Sequence, residues 1–155
     1  MRIGIYGGTF DPPHNGHIAA AKAAMERLSL DKLLLIPTFI PPHKALPAGA
    51  ASPRQRYDMA VLATAALGKK AEVLDMELER GGPSYTWETL RLLRSRYPED
   101  ELWLLMGSDM FLTLQDWREP RQVMALARIG AFSRMKSGEA DAFARQKAFL
   151  EREYG

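Results

Sequence analysis

The chain has 155 residues, 46% of them apolar, which is enough for one domain with a real core and too few for two of ordinary size. Cysteine is absent, excluding disulfides, thiol nucleophiles and cysteine-ligated zinc together. The formal net charge is only +2 and no dense cluster of lysine and arginine occurs, which argues against nucleic acid as the main partner; no apolar run approaches the ~20 residues that cross a bilayer. A soluble, cytoplasmic protein is expected.

Apolar runs of strand character occur at Ile3 to Tyr6, Leu33 to Pro37, Ala71 to Met76, Leu102 to Gly107 and Arg128 to Ser133. Segments of helical spacing separate them, so a parallel sheet covered on both faces is predicted. The first helix, from Gly16 onward, puts Ile18, Ala21, Met25 and Leu28 on one face and leaves Lys22, Glu26 and Arg27 off it. The second opens with Ser52 as N-cap and Pro53 at its first position, running through Arg56, Met59, Ala60 and Leu67 to Gly68. A third spans Thr86 to Tyr97 and is stopped by Pro98; another starts near Pro120, and the last covers Glu139 to Tyr154. Two loops exceed what connection needs: Thr38 to Ala51, with three prolines, His43 and Lys44, and Leu78 to Ser84, with Gly81, Gly82 and Pro83. Surplus loops of this kind usually serve binding.

The stretch from Gly7 to Ile18, GGTFDPPHNGHI, joins the first strand to the first helix. Unpaired N–H groups and the helix dipole favour an anion at such a junction. All three histidines, His14, His17 and His43, fall in the loops after the first two strands, which share one edge of a parallel sheet. A zinc site is the competing reading of these histidines, weaker because Asp11 is flanked by Pro12 and no fourth ligand has matching spacing. The glycines fit neither a P-loop nor the dinucleotide fingerprint G-x-G-x-x-G. What they do provide is Gly16 between two histidines, where a base or ribose could approach the backbone, and His17 in the first helical turn, where its ring could donate to a phosphoryl oxygen. Of the tryptophans, Trp87 and Trp103 are expected in the core, whereas Trp117, after the polar pair Gln115 and Asp116, is expected to be partly exposed.

The His-x-Gly-His motif at His14 to His17 resembles that of a nucleotidyltransferase superfamily. Three further segments resemble, within it, the bacterial nicotinate-nucleotide adenylyltransferases: Pro41-Pro42-His43-Lys44, Ser84-Tyr85-Thr86-Trp87-Glu88-Thr89-Leu90, and Gly107-Ser108-Asp109 with Trp117. The resemblance runs from Arg2 to about Arg134. It implies a single nucleotidyltransferase domain over residues 1–155, of α/β class, with a Rossmann-like doubly wound parallel sheet of order 3-2-1-4-5 and helices on both faces. Strands one and four would then be neighbours where the winding reverses, and their loops would flank the site.

The same resemblance implies transfer of the adenylyl group of ATP to nicotinate mononucleotide, giving nicotinic acid adenine dinucleotide and pyrophosphate in NAD biosynthesis. Mg²⁺ would arrive with ATP, and no protein-held metal is implied. Gly8, Thr9, Phe10, His14, Gly16, His17, Gly107, Asp109 and Arg134 would bind ATP, with His14, His17 and Lys44 in catalysis. Lys44, Tyr85, Thr86 and Trp117 would bind the acceptor: the indole against the pyridine ring, Tyr85 and Thr86 near its carboxylate. The sequence offers no nucleophile and base pair, and none is required when the attacking phosphate is already anionic. Two alternatives stay open: an enzyme of the superfamily acting on nicotinamide mononucleotide or another phosphate acceptor, and a nucleotide-binding module without turnover. A homo-oligomer is also compatible. The family's C-terminal segment of Ser-Thr-x-x-Arg character has no counterpart here, and the expectation is that this chain lacks it.

Overall fold

The computed structural model describes residues 1–8, 15–37, 52–81, 85–132 and 139–154. Five parallel strands, β1 (Arg2–Gly8), β2 (Lys32–Pro37), β3 (Ala71–Val73), β4 (Glu101–Gly107) and β5 (Arg128–Phe132), form one sheet in the order β3-β2-β1-β4-β5. This is the predicted doubly wound topology. The central strand, β1, is sandwiched so that Tyr6 pairs with Leu35 on one side and Leu105 on the other.

Alternation along the strands sends side chains to two cores. On one face Ile3, Ile5, Leu34, Ile36, Leu102, Leu104 and Met106 are buried with residues of α4 (Thr86–Arg96), α5 (Ser108–Phe111), α6 (Pro120–Leu126) and α7 (Glu139–Tyr154). On the other, Tyr6, Leu33, Leu35 and Leu105 are buried with Ala21 of α1 (Asn15–Arg27) and with Leu30 just beyond it. Three of the four residues of the stripe expected on α1 pack there, Ala21 buried and Met25 and Leu28 half-buried, together with Ala20 and Ala24. Two glycines let α1 and its trailing turn lie close to the sheet. A Cβ on Gly4 would come 2.5 Å from Leu30 Cδ1, and one on Gly130 would come 2.9 Å from Leu105 Cδ2 and 3.3 Å from Leu28 Cδ1.

The second helix, α2 (Pro53–Thr64), starts as predicted: Ser52 Oγ accepts from the Gln55 N–H, and the Gln55 side chain accepts from the Ser52 N–H. A 3₁₀ turn, Ala65–Leu67, carries it on to Gly68, whose φ of 81° ends it.

One stretch departs from expectation. β3 stops at Val73, and α3 (Met76–Arg80) occupies residues read from sequence as the end of a strand and the start of a loop. The run Met-Glu-Leu-Glu-Arg after Asp75 is made of good helix formers, and Leu74 and Met76 pack onto the larger core, so a short helix buries what a longer edge strand would leave open.

α4 and α6 run side by side in the same direction. Arg118, two residues before α6, meets Tyr85 at the start of α4, while at the far ends Arg94 donates to the carbonyl of Leu126 at 3.0 Å and to that of Asp100 at 2.6 Å. Because Pro98 to Asp100 lead from α4 into the first end of β4, the starts of α4 and α6 both lie toward the carboxyl edge of the sheet. Among the described residues no helix is long and apolar enough to cross a membrane.

Candidate active site

β1 and β4 are neighbours, but the chain leaves them toward opposite faces: after β1 to α1 on the smaller core, after β4 to α5 on the larger. A crevice at the carboxyl ends of two such strands is where open α/β sheets bind ligands. Gly8 ends β1 and Gly107 ends β4, so both expected glycines are at this switch point. Gly7, one residue earlier, is exposed, and a Cβ added to it would meet only the Ile36 carbonyl, at 3.8 Å.

Gly16 and His17 are in the first turn of α1, as expected. The His17 ring is half-buried and stands edge-on to the buried Tyr6 ring, with centroids 6.2 Å apart and planes at 72°. Tyr6 belongs to β1, so the contact fixes the imidazole near the strand's end. Asp109 is the second residue of α5, directly after β4. Thr9, Phe10, His14, Lys44 and Arg134 lie outside the described residues, as do His43 and Ser84. Among the described residues no group of three or more His, Asp or Glu could hold a metal ion.

The other expected cluster gathers at the start of α4. Tyr85 is its N-cap, with extended backbone (φ −78°, ψ 127°), and its side chain makes no capping bond. Tyr85 and Thr86 are both half-buried. The third expected acceptor residue of this region, Trp117, does not have the expected exposure. Trp117 is only 8% exposed: it belongs to the larger core, and its Nε1 donates to Thr113 Oγ1 at 3.1 Å. The expected partial exposure is therefore corrected. Gln115 and Asp116 belong to a 3₁₀ turn, Leu114–Asp116, after which the chain turns the indole inward. Trp87 and Trp103, expected in the core, are half-buried at its margins.

Sequence reasoning missed two features here. The first is Arg118, exposed, with its guanidinium carbon 4.9 Å from the centre of the Tyr85 ring. The second is a buried polar cluster under the first turn of α4. Thr89 Oγ1 donates to Glu77 Oε2 at 2.6 Å and accepts from Arg80 Nη2 at 3.0 Å, and Arg80 also approaches Glu88 at 3.8 Å. It joins α3 to α4 across the glycine-proline loop. The only hint in the sequence is a charged pair, Glu77 and Arg80, on either side of apolar Leu78.

Two hollows lie elsewhere. One, of about 390 Å³, is lined by Leu112, Gln115, Arg145, Gln146 and Phe149; the other, of about 430 Å³, lies between the start of α2 and α3. Neither includes an expected site residue.

The profile of the cytidylyltransferase-like family matches residues 5–150. A protein of Dictyoglomus thermophilum named probable nicotinate-nucleotide adenylyltransferase is 48% identical over 134 residues, covering 86% of this chain and 67% of that protein. One of the same name from Chlorobium luteolum is 41% identical over 147 residues, covering 93% and 74%. Two structures of Plasmodium falciparum nicotinic acid mononucleotide adenylyltransferase, complexed with APC and with NaAD, share the fold. Their TM-scores are 0.66 and 0.64 at 15% and 16% identity, and each alignment covers 99% of this chain and 86% of the other.

Proposed function

The chain belongs to the cytidylyltransferase-like family and, within it, to the nicotinate-nucleotide adenylyltransferases, and from that premise we propose how its residues carry adenylyl transfer. A phosphate oxygen of nicotinate mononucleotide attacks the α-phosphorus of ATP, a new P–O bond forms, and the bond to the β-phosphate breaks to release pyrophosphate. The products are the deamido dinucleotide and pyrophosphate. No proton has to leave the nucleophile, so positioning and charge neutralisation carry the rate. ATP enters as its Mg²⁺ complex, and the metal is treated as part of the substrate. We place the reaction in the cytoplasm, in keeping with the finding that no described helix is long and apolar enough to cross a membrane.

We assign ATP to the crevice between β1 and β4, and the observation that supports this is the strand order β3-β2-β1-β4-β5, in which the winding reverses between those two strands. Backbone at Gly8, Thr9, Phe10 and Gly16 and the strand end at Gly107 would line the nucleotide. His14 and His17 would donate to its phosphates, with Arg134 adding charge. Asp109 would accept from ribose hydroxyls or hold the Mg²⁺ carried by ATP. Lys44 would offset phosphate charge between the two substrates. The N–H groups that open α4 at Tyr85 and Thr86 would face the acceptor's carboxylate, and the uncapped helix start suits them to it.

The test is direct. Mixing the protein with ATP, Mg²⁺ and nicotinate mononucleotide should release dinucleotide and pyrophosphate in equal amounts; release of neither overturns the reading. Replacing His17 by alanine should slow the reaction by about 100-fold or more if the imidazole acts on the developing phosphoryl charge. An unchanged rate removes it from the mechanism.

A further inference from the structure

The chain between the larger core and α6 is held at both ends. Trp117 is buried and bonded to Thr113, whose own hydroxyl donates to the Met110 carbonyl at 2.9 Å. Glu119 takes a left-handed backbone (φ 53°, ψ 56°), and Pro120 then opens α6. A non-glycine residue in that region costs free energy and persists only where its surroundings dictate it. Arg118 is the residue between these two fixed points, and it projects onto the Tyr85 ring.

The contact itself is informative. A guanidinium over an aromatic face is attracted by the ring's π-electrons, a contact that does not consume its N–H donors, and those donors suit a planar bidentate acceptor. Arg54, Arg80 and Arg128 each approach a carboxylate within 4 Å; among the described residues no carboxylate pairs with Arg118. The Tyr85 ring thus lies under a cation at the opening of α4, and among the described residues no hydrogen bond or ion pair takes up the cation's donors.

We infer that Arg118 is the residue that selects an anionic acceptor, its guanidinium meeting the ring carboxylate of nicotinate mononucleotide and having no such partner on the carboxamide of nicotinamide mononucleotide. The inference rests on the proposed function. It assigns selectivity to a full charge held over the Tyr85 ring, added to the backbone dipoles of α4. It also gives Trp117 a positioning role, as the anchor from which Arg118 is presented.

The experiment compares wild type, R118Q and R118K with both mononucleotides, by steady-state turnover and by calorimetric binding. R118Q should lower kcat/KM for the nicotinate form about 10-fold, the lower end for a charged hydrogen bond because the group is exposed. The loss should appear in KM rather than kcat, with the nicotinamide form changed by less than about twofold, within the range of a near-neutral surface change. R118K should recover part of the selectivity, since it keeps the charge and loses the fork. Thermal midpoints equal to wild type would show that the fold is untouched. An unaltered preference between the two mononucleotides overturns the inference alone. So does an equal loss for both, which would put Arg118 on the phosphate they share. A wild-type protein that binds neither mononucleotide overturns the functional reading, and the inference with it.

Discussion

Thr89→Val is the substitution that tests the polar cluster under α4. Valine keeps the shape of threonine, so no cavity opens, and what is lost is the hydroxyl. Thr89 is 2% exposed and Glu77 5% exposed, so neither end of the 2.6 Å bond has water to fall back on. The hydroxyl also accepts from Arg80, whose side chain is 20% exposed. Each bond involves a charged partner, for which about 1.5–3 kcal/mol is usual, giving a gross loss of roughly 3–6 kcal/mol. Arg80 retains Glu88 and some solvent, and Glu77 has another interaction, which reduces the net cost to about 2–3 kcal/mol. For a chain of 155 residues that corresponds to a fall in Tm of about 5–10 °C. Urea unfolding followed by circular dichroism measures it, with the denaturant slope unchanged if the variant keeps the same folded and unfolded states. Thr89→Ser, which keeps the oxygen, should recover most of the loss. A valine variant within about 0.5 kcal/mol of wild type, inside the scatter of ordinary surface changes, would refute the assigned role. So would a serine variant as unstable as the valine one.

Gly4→Ala should destabilise the protein by about 1–3 kcal/mol, because the new methyl would lie 2.5 Å from Leu30 Cδ1 and 3.1 Å from Leu33 Cδ1 in a filled core. Thermal unfolding checks it, and an unchanged midpoint would show that Leu30 moves aside freely. Lys32 donates to Glu72 at 3.1 Å, linking β2 to β3, and that hydrogen bond raises its pKa above the ordinary 10.5. The folded state therefore binds the proton more tightly than the unfolded one. The pair's contribution is present in full below the ordinary lysine value and is lost as pH rises through the folded value. Lys32→Met should lower stability by less than about 1 kcal/mol at neutral pH, as for surface pairs, and the difference should shrink in strongly alkaline buffer. A difference that grows with alkalinity would contradict the assignment.

The sheet was largely legible because each strand announces itself locally. Leu33 to Pro37 is an unbroken apolar run, and Ser52 with Pro53 marks a helix start whatever lies around it. β3 was overextended because Leu74 and Met76 look like strand residues; only their packing on the larger core shows that they flank a turn into helix. Trp117 misled for a related reason. Polar neighbours in sequence say little about which way a side chain points once a 3₁₀ turn intervenes. The cluster of Glu77, Arg80 and Thr89 joins residues up to 12 positions apart and depends on the approach of two helices, which no periodicity records.

That difference separates the two halves of the site. In the proposed reading the nucleotide half draws most of its residues from one stretch of sequence, Gly8 to His17, with Gly107 and Asp109 added after β4, and α1 lies against the sheet where Gly4 and Gly130 leave room. Its chemistry is local, so a short motif suffices to announce it. The acceptor half has no such segment. In the proposed reading it would be made where α3, α4 and the chain before α6 meet: Thr89 is tied to Glu77, and the Arg118 guanidinium lies over the Tyr85 ring, next to the buried Trp117. The preference between mononucleotides could then be weakened at that meeting place while the phosphate chemistry of the first half stays intact. A fold arranged in this way can keep one reaction while its acceptor preference is tuned separately, and Arg118→Gln would be a step of that kind.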